Sequence, residues 1–231
     1  MIDTSTLSLQ SSNFLNKLSF SERNDLLKIA EEHYFSKSEL IFRAGVDSDY
    51  VYIHKTGQVK IYELSSQGKE VILWFCFPGE VFGLTEITRG AKRSVYAQAC
   101  TRSRVYLIQR VAFNDFLTRH PNAAMAIIDL LSTRLRGLSD MLSNLTSDDV
   151  TSRIIKLLIR LSLLYGEQKS DMFCLNMNLT HQEIADMVSA SRQTVTSIIG
   201  QLKRDGLLFI DNDSINIHKP CLPEHIKFNR R

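Results

Sequence analysis

The stretch LTHQEIADMVSASRQTVTSIIGQLKR, running from Leu179 to Arg204, decides how the chain is read. Thr180-His181-Gln182-Glu183 has the Thr-x-x-Glu spacing of a capping box, in which hydroxyl and carboxylate each satisfy an orphan amide at a helix start. The helix begun there is predicted to run to about Val188. Ser191 then caps a second helix, Arg192 to Arg204, which stops against Gly206, a residue suited to follow a helix end. Ile184, Ala185, Val188 and Ala190 point inward on the first element, and Val195, Ile198, Ile199 and Leu202 on the second. Small Ala185 permits a close crossing, and the spacing predicts a helix-turn-helix.

The outer face of the second helix carries Arg192, Gln193, Thr196, Ser197 and Gly200, then Lys203 and Arg204. No acidic side chain lies between Ser191 and Arg204. Arg192 can donate two bonds to a guanine edge and Gln193 can pair with adenine. The Ser191 hydroxyl and the free amides of the first turn suit a phosphate. Leu207 to Ile210 and Ser214 to Ile217, joined at Asp211-Asn212-Asp213, read as a wing hairpin. An ordinary helical hairpin with a solvated basic face is the plainer alternative. It accounts for the charge but not for the capped turn and the wing together.

Upstream, apolar residues recur at Ile128, Leu131, Leu135, Leu138, Leu142 and Leu145, at alternating spacings of three and four. That is an a/d seam with Leu at every d, on a helix started by Pro121. So narrow a seam fits a second copy of itself, giving a parallel homodimer. Packing along the chain's own sheet is the other option, because Met125, Ile127 and Leu130 form a second apolar side. Asp148-Asp149 marks a hinge, and Asp149 or Thr151 caps a further helix, Ser152 to Tyr165. Between about 34 and 110 lie short β-type runs: 39–42, 50–53, 58–62, 71–77, 95–99 and 105–108. Gly45, Gly57, Gly68 and Pro78-Gly79 punctuate them, which predicts an antiparallel roll. Ser21 is read as the cap of an opening helix that holds Leu26, Leu27, Ile29 and Ala30 and breaks between His33 and Ser38.

The expected fold class is α+β, in three parts: a β-roll over 1–120, a dimerisation helix over 121–148 and a winged helix-turn-helix over 149–231. Composition agrees, since 44% of the 231 residues are apolar and 23% charged, enough for a buried core. The longest apolar run, Val71 to Phe77, is too short to cross a bilayer, and the N-terminus lacks a secretory pattern. A cell interior with no membrane association is therefore expected, with Cys76, Cys100, Cys174 and Cys221 as free thiols. The net charge of +3 resides entirely in residues 150–231; residues 1–149 are balanced.

In this order the parts resemble the family of the cyclic AMP receptor protein and the fumarate-nitrate regulator. The resemblance is carried by Pro78-Gly79-Glu80-Val81-Phe82-Gly83, Arg93-Ser94, Val150 to Ile154 and Leu179 to Leu202. It implies a homodimeric transcription regulator in which a ligand in the roll repositions two DNA-binding domains on a palindromic duplex, with RNA polymerase as a further partner. The position after Gly83, where cyclic-nucleotide binders carry a ribose-binding Glu, is Leu84. The phosphate-binding Arg-Ser pair is kept as Arg93 and Ser94, and the adenine-reading pair on the dimer helix becomes Leu138-Ser139. A buried Arg among apolar groups calls for an anion, so a small carboxylate is expected rather than a nucleotide.

That pattern is similar to the NtcA-type nitrogen regulators, whose effector is 2-oxoglutarate and which also occur in red algal plastids. It implies activation of nitrogen-assimilation genes, in a bacterial cytoplasm or a plastid (chloroplast) stroma. Ser139 replaces an expected Glu, and Ser197 replaces an Arg of the reading helix, which would alter or relax the operator. By the resemblance, Phe82, Gly83, Leu84, Arg93, Ser94 and Leu138 surround the effector, with Arg134 arriving from the partner subunit. Thr180, His181, Gln182, Ser191, Arg192, Gln193, Thr194, Thr196, Ser197 and Lys203 contact DNA. A response to a cyclic nucleotide, or to no small molecule, stays open. No catalytic residue, metal ligand or resident cofactor is assigned, and the protein is not expected to be an enzyme. No Cys precedes Cys76 to hold an iron-sulfur cluster, and the six His are scattered. A cupin-type metalloenzyme would need clustered His and Glu on adjacent strands, where the roll offers only His54 well inside it.

Overall fold

The computed structural model describes residues 13–88, 90–169, 172–175, 177, 179–211 and 214–218. Expectations for Cys221 and for Asn212-Asp213 lie outside these residues. The chain divides into two compact units, one over Ser12–Ser139 and one from Asp140 onward.

The first unit opens with α1 (Phe14–Lys17) and α2 (Phe20–Lys28). The cap of α2 is Ser19, not Ser21. Its hydroxyl accepts from the Glu22 amide while the Glu22 carboxylate takes the Ser19 amide, a reciprocal pair that Ser21 cannot form with Asn24 three residues on. Ile29 ends the helix, and Ala30, read above as helical, begins β1 (Ala30–Phe35). There follow β2 (Leu40–Phe42), β3 (Tyr50–Thr56), β4 (Val59–Leu64), β5 (Glu70–Cys76), β6 (Val81–Phe82), β7 (Tyr96–Ala99) and β8 (Ser103–Gln109).

They form two four-stranded antiparallel sheets, ordered β1-β8-β3-β6 and β2-β7-β4-β5. β1 pairs with β8 from Ala30 opposite Ile108 to Phe35 opposite Ser103. Its sequence, AEEHYF, has four exposed residues in its middle, so no alternation betrays it. The apolar layer between the sheets holds Phe42, Tyr52, Val59, Ile61, Cys76, Phe82, Ala97 and Val105. A second core lies on the outer side of the first sheet, where Val51, Ile53 and Ile108 meet Phe14, Leu26, Phe113, Phe116, Ile127 and Leu130. Phe113 and Phe116 belong to α3 (Arg110–Arg119), and Ile127 and Leu130 to α4 (Pro121–Ser147).

The two apolar sides of α4 part company. Ile127 and Leu130 are at most 5% exposed, but Met125, expected beside them, is 62% exposed, and Ile128, Leu131, Leu135, Leu138, Leu142 and Leu145 are 38–67% exposed.

In the second unit α5 (Val150–Tyr165) starts two residues earlier than expected, with Asp149 as its cap accepting from the Ser152 amide at 2.7 Å. Strands β9 (Glu167–Lys169) and β10 (Met172–Leu175) follow, then α6 (His181–Val188), α7 (Arg192–Arg204), β11 (Leu208–Asp211) and β12 (Ser214–His218). The wing is half of a four-stranded antiparallel sheet, β11-β12-β10-β9. Its other half leaves no mark in the sequence, because three- and four-residue strands are too short to show a period.

Candidate nucleic-acid interface and effector site

The helix pair is built as its caps dictate. Thr180 and Glu183 close a capping box on α6, with Thr180 Oγ1 accepting from the Glu183 amide at 3.1 Å and the Glu183 carboxylate accepting the Thr180 amide at 2.8 Å. Ser191 caps α7 by accepting from the Thr194 amide at 3.0 Å, and its hydroxyl lies 2.8 Å from that of Thr194. Between them Ser189 adopts the left-handed conformation, φ 53°, which turns the chain sharply enough for the helices to cross. Ile184, Ala185 and Val188 meet the unit's core, as do Val195, Ile199 and Leu202. Ala190 and Ile198 are only half-buried, a small departure from the expected inward set.

Ser191, Arg192, Gln193, Thr194, Thr196, Ser197 and Lys203 are all exposed on α7 and its cap. Thr180 and Gln182 are exposed at the start of α6, where Gln182 donates to Asp186 at 2.8 Å. His181 lies across the crossing, its Nδ1 2.9 Å from Thr196 Oγ1. Partial burial, then the nearby cations Lys203 and Arg192, lower its pKa. The ten residues expected to contact DNA therefore occupy one end of α6 and the outer face of α7. That face presents hydroxyl, amide and cationic side chains on a single α-helix, an element that a major groove admits.

In the roll, Arg93 is 3% exposed. The guanidinium lies 4.6 Å from the centroid of Phe42 and 5.6 Å from that of Tyr52. Nη1 donates to Gly83 O and to the Glu86 carboxylate, both at 2.9 Å, and Nη2 donates to Tyr50 O. The Gly83 turn has φ +73°, and a Cβ there would lie 2.9 Å from the Tyr52 ring. Phe82 stacks on Tyr52, with centroids 5.1 Å apart.

Sequence reasoning expected an unpaired arginine awaiting an anion. The structure corrects this: Glu86, only 7% exposed, is that anion. The signal was present, since Glu86 is the only acidic residue between Gly83 and Arg93 and a charge this deep requires a counter-charge. Phe82, Gly83 and Arg93 lie together around the Tyr52 ring. Leu84 instead joins the core on the helix side of the sheet, and Ser94 and Leu138 are exposed. Arg134, expected from a partner, donates from Nη2 to Val81 O of its own chain at 2.7 Å, with its guanidinium 5.0 Å from the Trp74 ring centroid. Among the described residues no group of three His, Cys, Asp or Glu could hold a metal ion, and no helix is long and apolar enough to cross a membrane.

A sensory roll and a capped, basic, winged helix pair define a DNA-binding transcription regulator with an effector-binding domain. Residues 32–120 match the cyclic nucleotide-binding domain and residues 152–221 the Crp-like helix-turn-helix domain. The chain is 30% identical over 186 residues to the cAMP-activated global transcriptional regulator of Haemophilus influenzae, covering 80% of this chain and 82% of that one. It is 27% identical over 188 residues to the global nitrogen regulator of a Nostoc species, covering 80% and 84%. Its fold is similar to that of a CooA mutant from Carboxydothermus hydrogenoformans, with TM-score 0.73 at 22% identity, covering 94% and 92%. The chain belongs to the Crp/Fnr family of transcription regulators, whose members are dimers.

Proposed function

We infer that this chain is a homodimeric regulator that binds a palindromic operator through α7 and contacts RNA polymerase to activate transcription. The observation that carries the DNA reading is the outer face of α7, exposed from Ser191 to Ser197 and free of acid up to Arg204. The six exposed apolar residues on one seam of α4 support the dimer. Selection from a random duplex pool tests the operator: an inverted repeat with half-sites about one helical turn apart is expected. Recovery of no preferred sequence overturns the reading.

For the effector we propose 2-oxoglutarate at Arg93, and with it control of nitrogen-assimilation genes. Support comes from Arg93 among aromatic rings and from similarity to nitrogen regulators, on which resemblance a plastid origin also rests. Such a ligand must displace Glu86. Glu86 equally favours a second reading, in which the roll supplies its own anion and operator binding needs no small molecule. Calorimetry separates the two. If 2-oxoglutarate binds, Glu86→Gln raises its affinity several-fold, because a neutral amide competes less for the guanidinium, and Arg93→Ala abolishes the heat. No heat from wild type or Glu86→Gln removes the nitrogen assignment, and heat from cyclic AMP alone replaces it.

A further inference from the structure

Thr196 lies on the exposed ridge of α7, one turn after Arg192 and one turn before Gly200. Its hydroxyl is engaged twice. Oγ1 donates its single hydrogen to Arg192 O at 2.8 Å, so the ring nitrogen 2.9 Å away, His181 Nδ1, is the donor in that second contact. A helical Thr ordinarily divides between two rotamers, and these two bonds select one. With its only hydrogen given to its own helix and a lone pair to α6, the hydroxyl has nothing to donate to a partner, and the group of Thr196 that can make an apolar contact is its methyl.

Gly200 makes the same point independently. A Cβ there would meet only Arg204 Nη1, at 3.6 Å, an ordinary contact. The protein interior therefore has no need of a glycine in mid-helix, where it is less stable than alanine. Its absent side chain lets a surface come close to the backbone one turn from Thr196, and a methyl on so short a side chain touches a base only at close approach. The apolar feature of the major groove is the thymine C5-methyl.

We propose that Thr196 reads a thymine methyl in each half-site and that His181 is the positioning residue that holds the threonine methyl outward. This rests on the DNA-binding reading above. The test uses the selected operator with each thymine replaced in turn by deoxyuridine, which deletes the methyl and leaves every hydrogen-bonding group. One symmetry-related pair of positions is expected to show a loss of about fourfold per half-site, the worth of one buried methyl, and about fifteenfold for the pair. Thr196→Val keeps that discrimination, since valine retains the methyl. Thr196→Ser abolishes it and binds both duplexes equally. His181→Ala reduces it, because the hydroxyl is freed to turn outward. The double variant His181→Ala/Thr196→Val restores it, having no hydroxyl to turn. Discrimination that survives in Thr196→Ser, or disappears in Thr196→Val, overturns the inference while leaving the operator intact. Failure to recover an operator overturns the DNA-binding reading itself.

Discussion

His54 is fully buried on β3 and its Nε2–H donates to Thr56 O at 2.9 Å. Burial disfavours the charged ring and lowers its pKa from 6.5 to about 4. The unfolded chain therefore takes up a proton between these values that the folded chain refuses. The stability held above pH 6.5 is lost as the pH falls towards 4, by about 3 kcal/mol in all. The single tryptophan, Trp74, lies in the same unit, so its fluorescence in urea titrations at pH 7 and pH 4.5 follows this loss. His54→Leu is expected to flatten most of the slope; an unchanged slope would place the acid sensitivity elsewhere. Arg93 obeys the opposite logic at the same scale. It stays buried because Glu86, two carbonyls and aromatic faces surround it, and removing Glu86 alone leaves a charge without its partner.

Ser189 shows what an element demands of one residue. It holds φ 53°, ψ 52° in the turn between α6 and α7, and its side chain is exposed. Left-handed backbone is costly for any residue with a Cβ and nearly free for glycine. Ser189→Gly is expected to stabilise the helix-turn-helix unit by about 0.5 to 1 kcal/mol, read as a higher melting temperature by circular dichroism, with operator affinity unchanged. Elements whose ends or faces obey local chemistry were legible in the sequence. The boxes and caps at Thr180 and Ser191 located α6 and α7, and the seam from Ile128 to Leu145 located α4. What escaped depends on distant partners. β1 is specified by its register on β8, not by its own pattern. β10 gains its order from β12, and β9 from β10. Glu86 is explained only by an arginine seven residues later in sequence and brought against it by the turn. Arg134 was assigned to a partner subunit because the sequence cannot show that the Val81 carbonyl lies within its own reach.

At the scale of the whole molecule, the charge split along the sequence becomes a prediction about binding. The excess of +3 belongs to residues 150–231, and among the outward cations of α7 the roles differ. Arg204 is engaged with Gln201 at 2.6 Å, whereas Lys203 is exposed at the end of the helix, which suits a phosphate rather than a base. A dimer presents Lys203 twice. Each phosphate neutralised releases condensed counterions and steepens the fall of log K with log salt by about 0.9. Lys203→Gln is therefore expected to make that slope shallower by about 2 in a dimer and by about 1 if one subunit alone engages the duplex. The loss of affinity should be nearly equal on the selected operator and on unrelated DNA, because a phosphate contact carries no sequence information. Arg192→Ala should do the reverse, weakening the operator far more than unrelated DNA. Fluorescence anisotropy with both duplexes, from 50 to 300 mM potassium chloride, measures the slope and the affinity losses alike. A Lys203→Gln slope equal to that of wild type would remove this residue from the interface.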